Sequence, residues 1–121
     1  MAGLSRIRLE LGRTAEFPRG SEQHGYEFIA PLTLSGHIDA LEWRRIKEHC
    51  GVRRFWGNDH DEHGMLRHVG HGWRFDYGNA DESDEPFLKL DAHTLAPGNY
   101  VSIREHDGVT RPFRVAEVTS I

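Results

Sequence analysis

The segment Val101-Ser102-Ile103-Arg104-Glu105-His106-Asp107-Gly108-Val109-Thr110-Arg111-Pro112-Phe113-Arg114-Val115 decides the fold. A two-residue Asp107-Gly108 turn would set Arg104 opposite Arg111, a like-charge pair that weakens a sheet. A three-residue loop, His106-Asp107-Gly108, instead pairs Val101 with Phe113 and Ile103 with Arg111, and puts Gly108 where a G1 bulge needs positive φ. Val101, Ile103, Phe113 and Val115 then share one apolar face. The chain therefore ends in an antiparallel pair with one side in a core.

The same alternation recurs upstream. Ser5 to Leu11 sends Ile7, Leu9 and Leu11 to one face and Arg6, Arg8 and Glu10 to the other, as a half-buried strand does. Residues 13–25 lose the pattern and read as a long loop. Tyr26 to Leu32 resumes it, and Pro31, which lacks a ladder donor, favours an edge or a bulge there. Val52 to Trp56 reads as a further strand. Met65 to Val69 and Trp73 to Tyr77 read as a hairpin around a three-residue loop, Gly70-His71-Gly72. That loop sends Met65, Val69, Trp73, Phe75 and Tyr77 to the core, and Leu66, His68, Arg74 and Asp76 to the other face. Phe87 to Leu90 is a short strand, and Pro97-Gly98 turns the chain into the last hairpin.

One helix is expected, from Asp39 to Cys50. Asp39 can cap it, Glu42 stands three residues on as in a capping box, and Ile38 can staple onto Trp43. Trp43, Ile46 and Cys50 form a narrow apolar stripe, and Gly51 offers a left-handed stop. The fold class that follows is α+β: residues 1–121 as a single domain, mostly antiparallel β, in a bent sheet or small partly open barrel with one main helix.

Composition sets limits on function. With 121 residues, 37% apolar, the chain can bury one core, much of it supplied by three Trp, three Tyr and six Phe. The net charge of −4 argues against general nucleic-acid binding. The acidic excess concentrates between Phe55 and Asp91, and the run Asp81 to Glu85 reads as an exposed, solvated loop. No stretch has the apolar length of a membrane span, and the single cysteine, Cys50, cannot form an internal disulfide. A soluble, cytoplasmic protein is the expectation.

Nine histidines are the first place to look for chemistry. His60 and His63 form one H-x-x-H pair, beside Asp59, Asp61 and Glu62; His68 and His71 form another. Imidazole with carboxylate suits a divalent transition metal, so His60, His63 and His68 are the candidate metal ligands. The spacing lacks the helical geometry of H-E-x-x-H, and solvated surface histidine is the competing reading. Arg74 and Asp76 share a hairpin face with His68 and are candidate binding residues, or simply a wet cross-strand charge cluster. Arg53, Arg54 and Trp56 put cations and a ring on one strand, as single-strand nucleic-acid binders do. No nucleophile elbow, Walker loop or dinucleotide fingerprint is present. The function these residues support is a non-catalytic binding or accessory module for a protein or small ligand, without a required cofactor. A metal protein or metal-dependent enzyme is the alternative, and nucleic-acid binding a second.

Three stretches taken together resemble a family of small uncharacterised bacterial proteins. They are His24-Gly25-Tyr26-Glu27-Phe28 with Ala30-Pro31-Leu32, then Arg53-Arg54-Phe55-Trp56, then Pro97-Gly98-Asn99-Tyr100-Val101-Ser102-Ile103-Arg104-Glu105. The resemblance covers most of the chain and carries no activity or catalytic residue with it.

Overall fold

The computed structural model describes residues 3–70, 72–78, 85–88, 94–105 and 107–121. Its strands are β1 (Gly3–Leu11), β2 (Ser21–Leu32), β3 (Gly51–Trp56), β4 (Glu62–Val69), β5 (Gly72–Asp76), β6 (Glu85–Leu88), β7 (Tyr100–Arg104) and β8 (Thr110–Ser120), with one helix, α1 (Ala40–Ile46), between β2 and β3. Each strand pairs antiparallel with the next, and β8 returns to β1, so the hydrogen-bonded ring closes. The expected antiparallel curvature is present, and closure replaces the partly open edge that the sequence suggested. Among the described residues the ring is thinnest at β6, which contributes two residue pairs on each side.

Alternation fills the lumen. Ile7 and Leu9 of β1 stand opposite Phe28 and Tyr26 of β2, and Leu11 stands opposite Phe113 of β8. All six are buried, with Val52, Phe75, Val101, Ile103 and Val115. Tyr26 lies 4.9 Å from Phe75 and 5.1 Å from Phe113 between ring centroids, and Phe28 lies 5.2 Å from Phe75. An eight-stranded barrel is just wide enough for such side chains to fill it. Each large apolar side chain so buried contributes roughly 1.5–3 kcal/mol.

The final hairpin forms in the expected register, with Val101 opposite Phe113 and Ile103 opposite Arg111. Gly108 adopts φ +84°, and Glu105 N–H donates to the Val109 carbonyl across the loop. The middle hairpin differs from expectation. Val69 pairs with Gly72 and His68 with Trp73, so the connection is two residues, with Gly70 at φ +62°. A one-residue slip turns every side chain of a strand over. Leu66 and His68 therefore face inward with Trp73 and Phe75, whereas Met65 and Val69 are 37% and 49% exposed. His68 does not face Arg74; Arg67 does, and Arg67 pairs diagonally with Asp76.

The helix is also shorter than expected. Asp39 caps it by accepting from Glu42 N–H at 3.1 Å, but the Asp39 N–H donates to Pro31 O, and the Glu42 carboxylate takes Arg45 instead of closing a capping box. After Ile46 a single 3-10 turn (Lys47–His49) leads to Cys50, and Gly51 opens β3 rather than ending the helix. Pro31 sits beyond the last β2–β3 pair, Phe28 with Val52, so no ladder donor is missed. Trp43 anchors the helix against the barrel end formed by His68 and Trp73. Its Nε1–H donates to Leu66 O at 3.0 Å, and its ring meets Trp73 edge-on at 5.6 Å. Among the described residues no helix is long and apolar enough to cross a membrane. Of the expected acidic loop, Asp81 to Glu85, residues 81–84 lie outside the described residues, and Glu85 opens β6 opposite Phe75 instead of staying in the loop.

Candidate functional site

The end of the barrel opposite the helix is polar. Here the apolar inward faces of four strands are each interrupted near the strand end. Arg54 follows Val52 on β3, Glu62 precedes Leu66 on β4, Glu105 follows Ile103 just past β7, and Arg111 precedes Phe113 on β8. Alternation forces these charges to point into the mouth.

Glu105 is the centre of the group, its side chain 1% exposed. One carboxylate oxygen accepts Tyr26 Oη–H at 2.5 Å and Arg54 Nη2 at 3.2 Å. The other accepts Arg111 Nη1 at 2.8 Å. Arg54 also reaches Glu62 at 3.4 Å, and Arg111 reaches Asp107 at 3.0 Å and Glu16 at 3.3 Å. The Arg54 guanidinium lies 4.1 Å from the Trp56 ring centroid, with Arg111 at 5.7 Å. No buried side-chain nitrogen or oxygen among the described residues lacks a partner. Charges this deep persist only when paired in this way.

Residues 12–20 close over the mouth. Glu16 takes Arg111, and Phe17 packs on His24 at 4.6 Å between centroids. His24 meets Trp56 edge-on at 4.7 Å, and its Nδ1 is 2.6 Å from Ser21 Oγ. Ser21 Oγ also accepts from Gln23 N–H. Burial lowers the His24 pKa, and the Arg54 charge lowers it further. The result is a neutral histidine in a local serine–histidine contact. No described carboxylate is hydrogen-bonded to the ring to orient it.

On its outer side the same loop makes a cleft of about 430 Å³ with the wall of β7 and β8, lined among others by Arg13, Arg19, Ser21, Tyr100 and Arg114. At the helix end, a second cleft of about 320 Å³ lies between Trp43 and Lys47 on one side and Met65 to His68 on the other.

The histidines and the Arg74–Asp76 pair singled out from sequence fall elsewhere. His63 and His68 are five positions apart on β4, so they point to opposite faces, about 16 Å apart along the strand at ~3.3 Å per residue. His63 faces outward opposite Arg53. The His68 ring stacks on Trp73 at 4.3 Å. His60 lies in the loop before β4. Among the described residues no group of three or more His, Cys, Asp or Glu is placed to hold a metal ion. Asp76 is held by Arg67 and accepts Gly78 N–H, and Arg74 lies on the same outer face.

Arg53 and Arg54 part company across β3. Arg54 and Trp56 enter the mouth, while Arg53 stays on the wall, paired with Glu27 at 2.8 Å and Asp61 at 2.9 Å. The Cys50 thiol is pushed up to about 11 by burial, with the Glu48 charge adding to it, so it packs as a small apolar group. Glu105, Arg111, Glu62 and Tyr26 were missed as a group, although their signal is present in the sequence. Each charged residue falls on the apolar side of an alternating strand, near its end. The chain matches no protein-family model, no curated protein and no solved structure.

Proposed function

We propose that this chain is a non-catalytic, cytoplasmic binding module that holds its ligand on the outside of the barrel. One observation carries the reading: the inward-facing charged groups of the mouth are consumed by one another. Glu105 is shared by Tyr26, Arg54 and Arg111, and the lumen behind it is packed with aromatic rings. Such a network rigidifies a barrel end and leaves none of its own charged groups poised for reaction. Among the described residues, concavity is found on the wall, in the loop cleft and the helix cleft among others. The buried, unpaired Cys50 supports a reducing compartment.

The test is a fragment and metabolite screen followed by amide chemical-shift mapping, with each hit recovered and weighed. Binding should perturb amides of 12–22 and 112–114, or of 43–48 and 65–68, and each hit should return chemically unchanged. Conversion of a hit that is lost in Glu105→Gln or His24→Ala would overturn the reading.

A further inference from the structure

We propose that the loop cleft is a binding site for a small organic phosphate, a deeper version of the binding role above and dependent on it. Three arginines line it, outnumbering the two carboxylates there, Glu10 and Glu22: Arg13 and Arg19 come from the β1–β2 loop and Arg114 from the wall of β8. Four of the thirteen arginines are fully committed. Arg8, Arg53, Arg54 and Arg111 each hold two or more carboxylate contacts. Arg13 and Arg19 are exposed and have no ion-pair or hydrogen-bond partner among the described residues, yet they border the same concavity. Arg114 has one weak contact, to Glu10 at 3.3 Å, and Glu10 is already engaged by Arg8 at 2.8 Å. An incoming dianion can therefore recruit Arg114 without stranding Glu10.

The chemistry of the wall narrows the ligand. Guanidinium forks match phosphate oxygens, and three of them favour a dianion over a single carboxylate. Tyr100 is 53% exposed and its ring lies against Gly12, where an added Cβ would approach the ring to 3.2 Å. Glycine at 12 thus lets an aromatic face form one side of the cleft. That face suits a planar or sugar-like organic portion. The volume, about 430 Å³, is that of a small-molecule site.

Calorimetric titration of the whole chain with adenosine monophosphate, ribose 5-phosphate, inorganic phosphate and adenosine tests the assignment. The phosphate esters should bind, adenosine should bind at least ~30-fold more weakly, and affinity should fall as salt rises. The double variant R13Q/R19Q should lose ~10-fold or more, since each charge-assisted contact is worth about that factor. Tyr100→Ala should weaken the esters and leave inorganic phosphate unchanged. All three positions are exposed, so folding is retained, and circular dichroism checks it. Equal binding of all four compounds, or unchanged affinity in R13Q/R19Q, would overturn the phosphate site. Binding confined to the helix cleft would also overturn it, while leaving the broader binding reading intact. Release of phosphate from the bound ester, lost in Ser21→Ala, would have the opposite consequence: the site would stand and the non-catalytic reading would fall.

Discussion

Two arginine–carboxylate networks lie on opposite sides of the same sheet. On the outer wall, Arg8 bridges Glu10 and Glu27, Arg53 bridges Glu27 and Asp61, and both guanidiniums lie over the Phe55 ring, at 4.5 and 5.0 Å. In the mouth, Arg54 and Arg111 converge on Glu105. The pairings are chemically alike, and their surroundings are not. The wall carboxylate Glu27 retains 28% exposure, whereas the side chain of Glu105 retains 1%. Water can replace a lost partner on the wall and has little access in the mouth. The wall network is therefore a decoration on a formed sheet, and the mouth network is part of the core.

The largest expected effect follows from breaking the buried centre. Glu105→Ala leaves two guanidiniums and the Tyr26 hydroxyl facing a void, and should cost about 3–5 kcal/mol. Urea denaturation reads this directly. A loss below ~1 kcal/mol would mean that the mouth is as wet as the wall. Tyr26→Phe removes a single hydrogen bond to the same carboxylate and should cost about 1.5–3 kcal/mol with the ring packing intact. On the wall, Glu27→Gln weakens two ion pairs at once, yet the change should stay within ~1 kcal/mol and shrink further in high salt. A cost equal to that of Tyr26→Phe would erase the distinction between the two networks.

The smallest signal is in pH. Burial pushes the Glu27 carboxyl up, but hydrogen bonds from Arg53 and Arg8 outweigh it and hold the group below its ordinary 4.5. The fold therefore holds the Glu27 proton more weakly than the unfolded chain does. Its contribution is complete above pH 4.5 and is lost as the pH falls below it. His24 in the mouth is likewise held below its ordinary 6.5, first by burial and then by Arg54. The unfolded chain takes up that proton first, so stability should begin to fall as the pH drops through 6.5. His24→Gln should abolish the step near 6.5 and leave the lower one; persistence of the upper step would assign it to another histidine.

Strand faces were readable wherever a turn fixed the register. Gly108, the glycine of its loop, set the last hairpin and with it the apolar faces of β7 and β8, while alternation alone showed those of β1 and β2. Gly70-His71-Gly72 offered a glycine at either loop length. The choice of three residues over two turned β4 inside out and set Arg74 opposite His68, where Trp73 stands. Ring closure was not readable, because it depends on Leu9 meeting Val115 across nearly the whole chain. The mouth was half readable. Ile103 opposite Arg111 was derived from the turn, but that Arg54 and Glu105 would meet it requires the closed ring. The outlying histidines attracted attention by their number and their H-x-x-H spacing, and strand parity on β4 separates two of them.

Closure also governs how the chain assembles. Seven of the eight strand pairings join neighbours in sequence, and the eighth joins β1 to β8. Hairpins can form locally within microseconds, but the last seam must wait for the two ends of the chain to find each other. Until then β1 and β8 each present an unpaired edge, a template for another chain. Refolding should be slow for a protein of this size, and losses to aggregation should rise with concentration during that interval. Once the seam is made, no continuous outer edge is left for a neighbour to extend, and the finished barrel should resist the strand addition to which its intermediate is open.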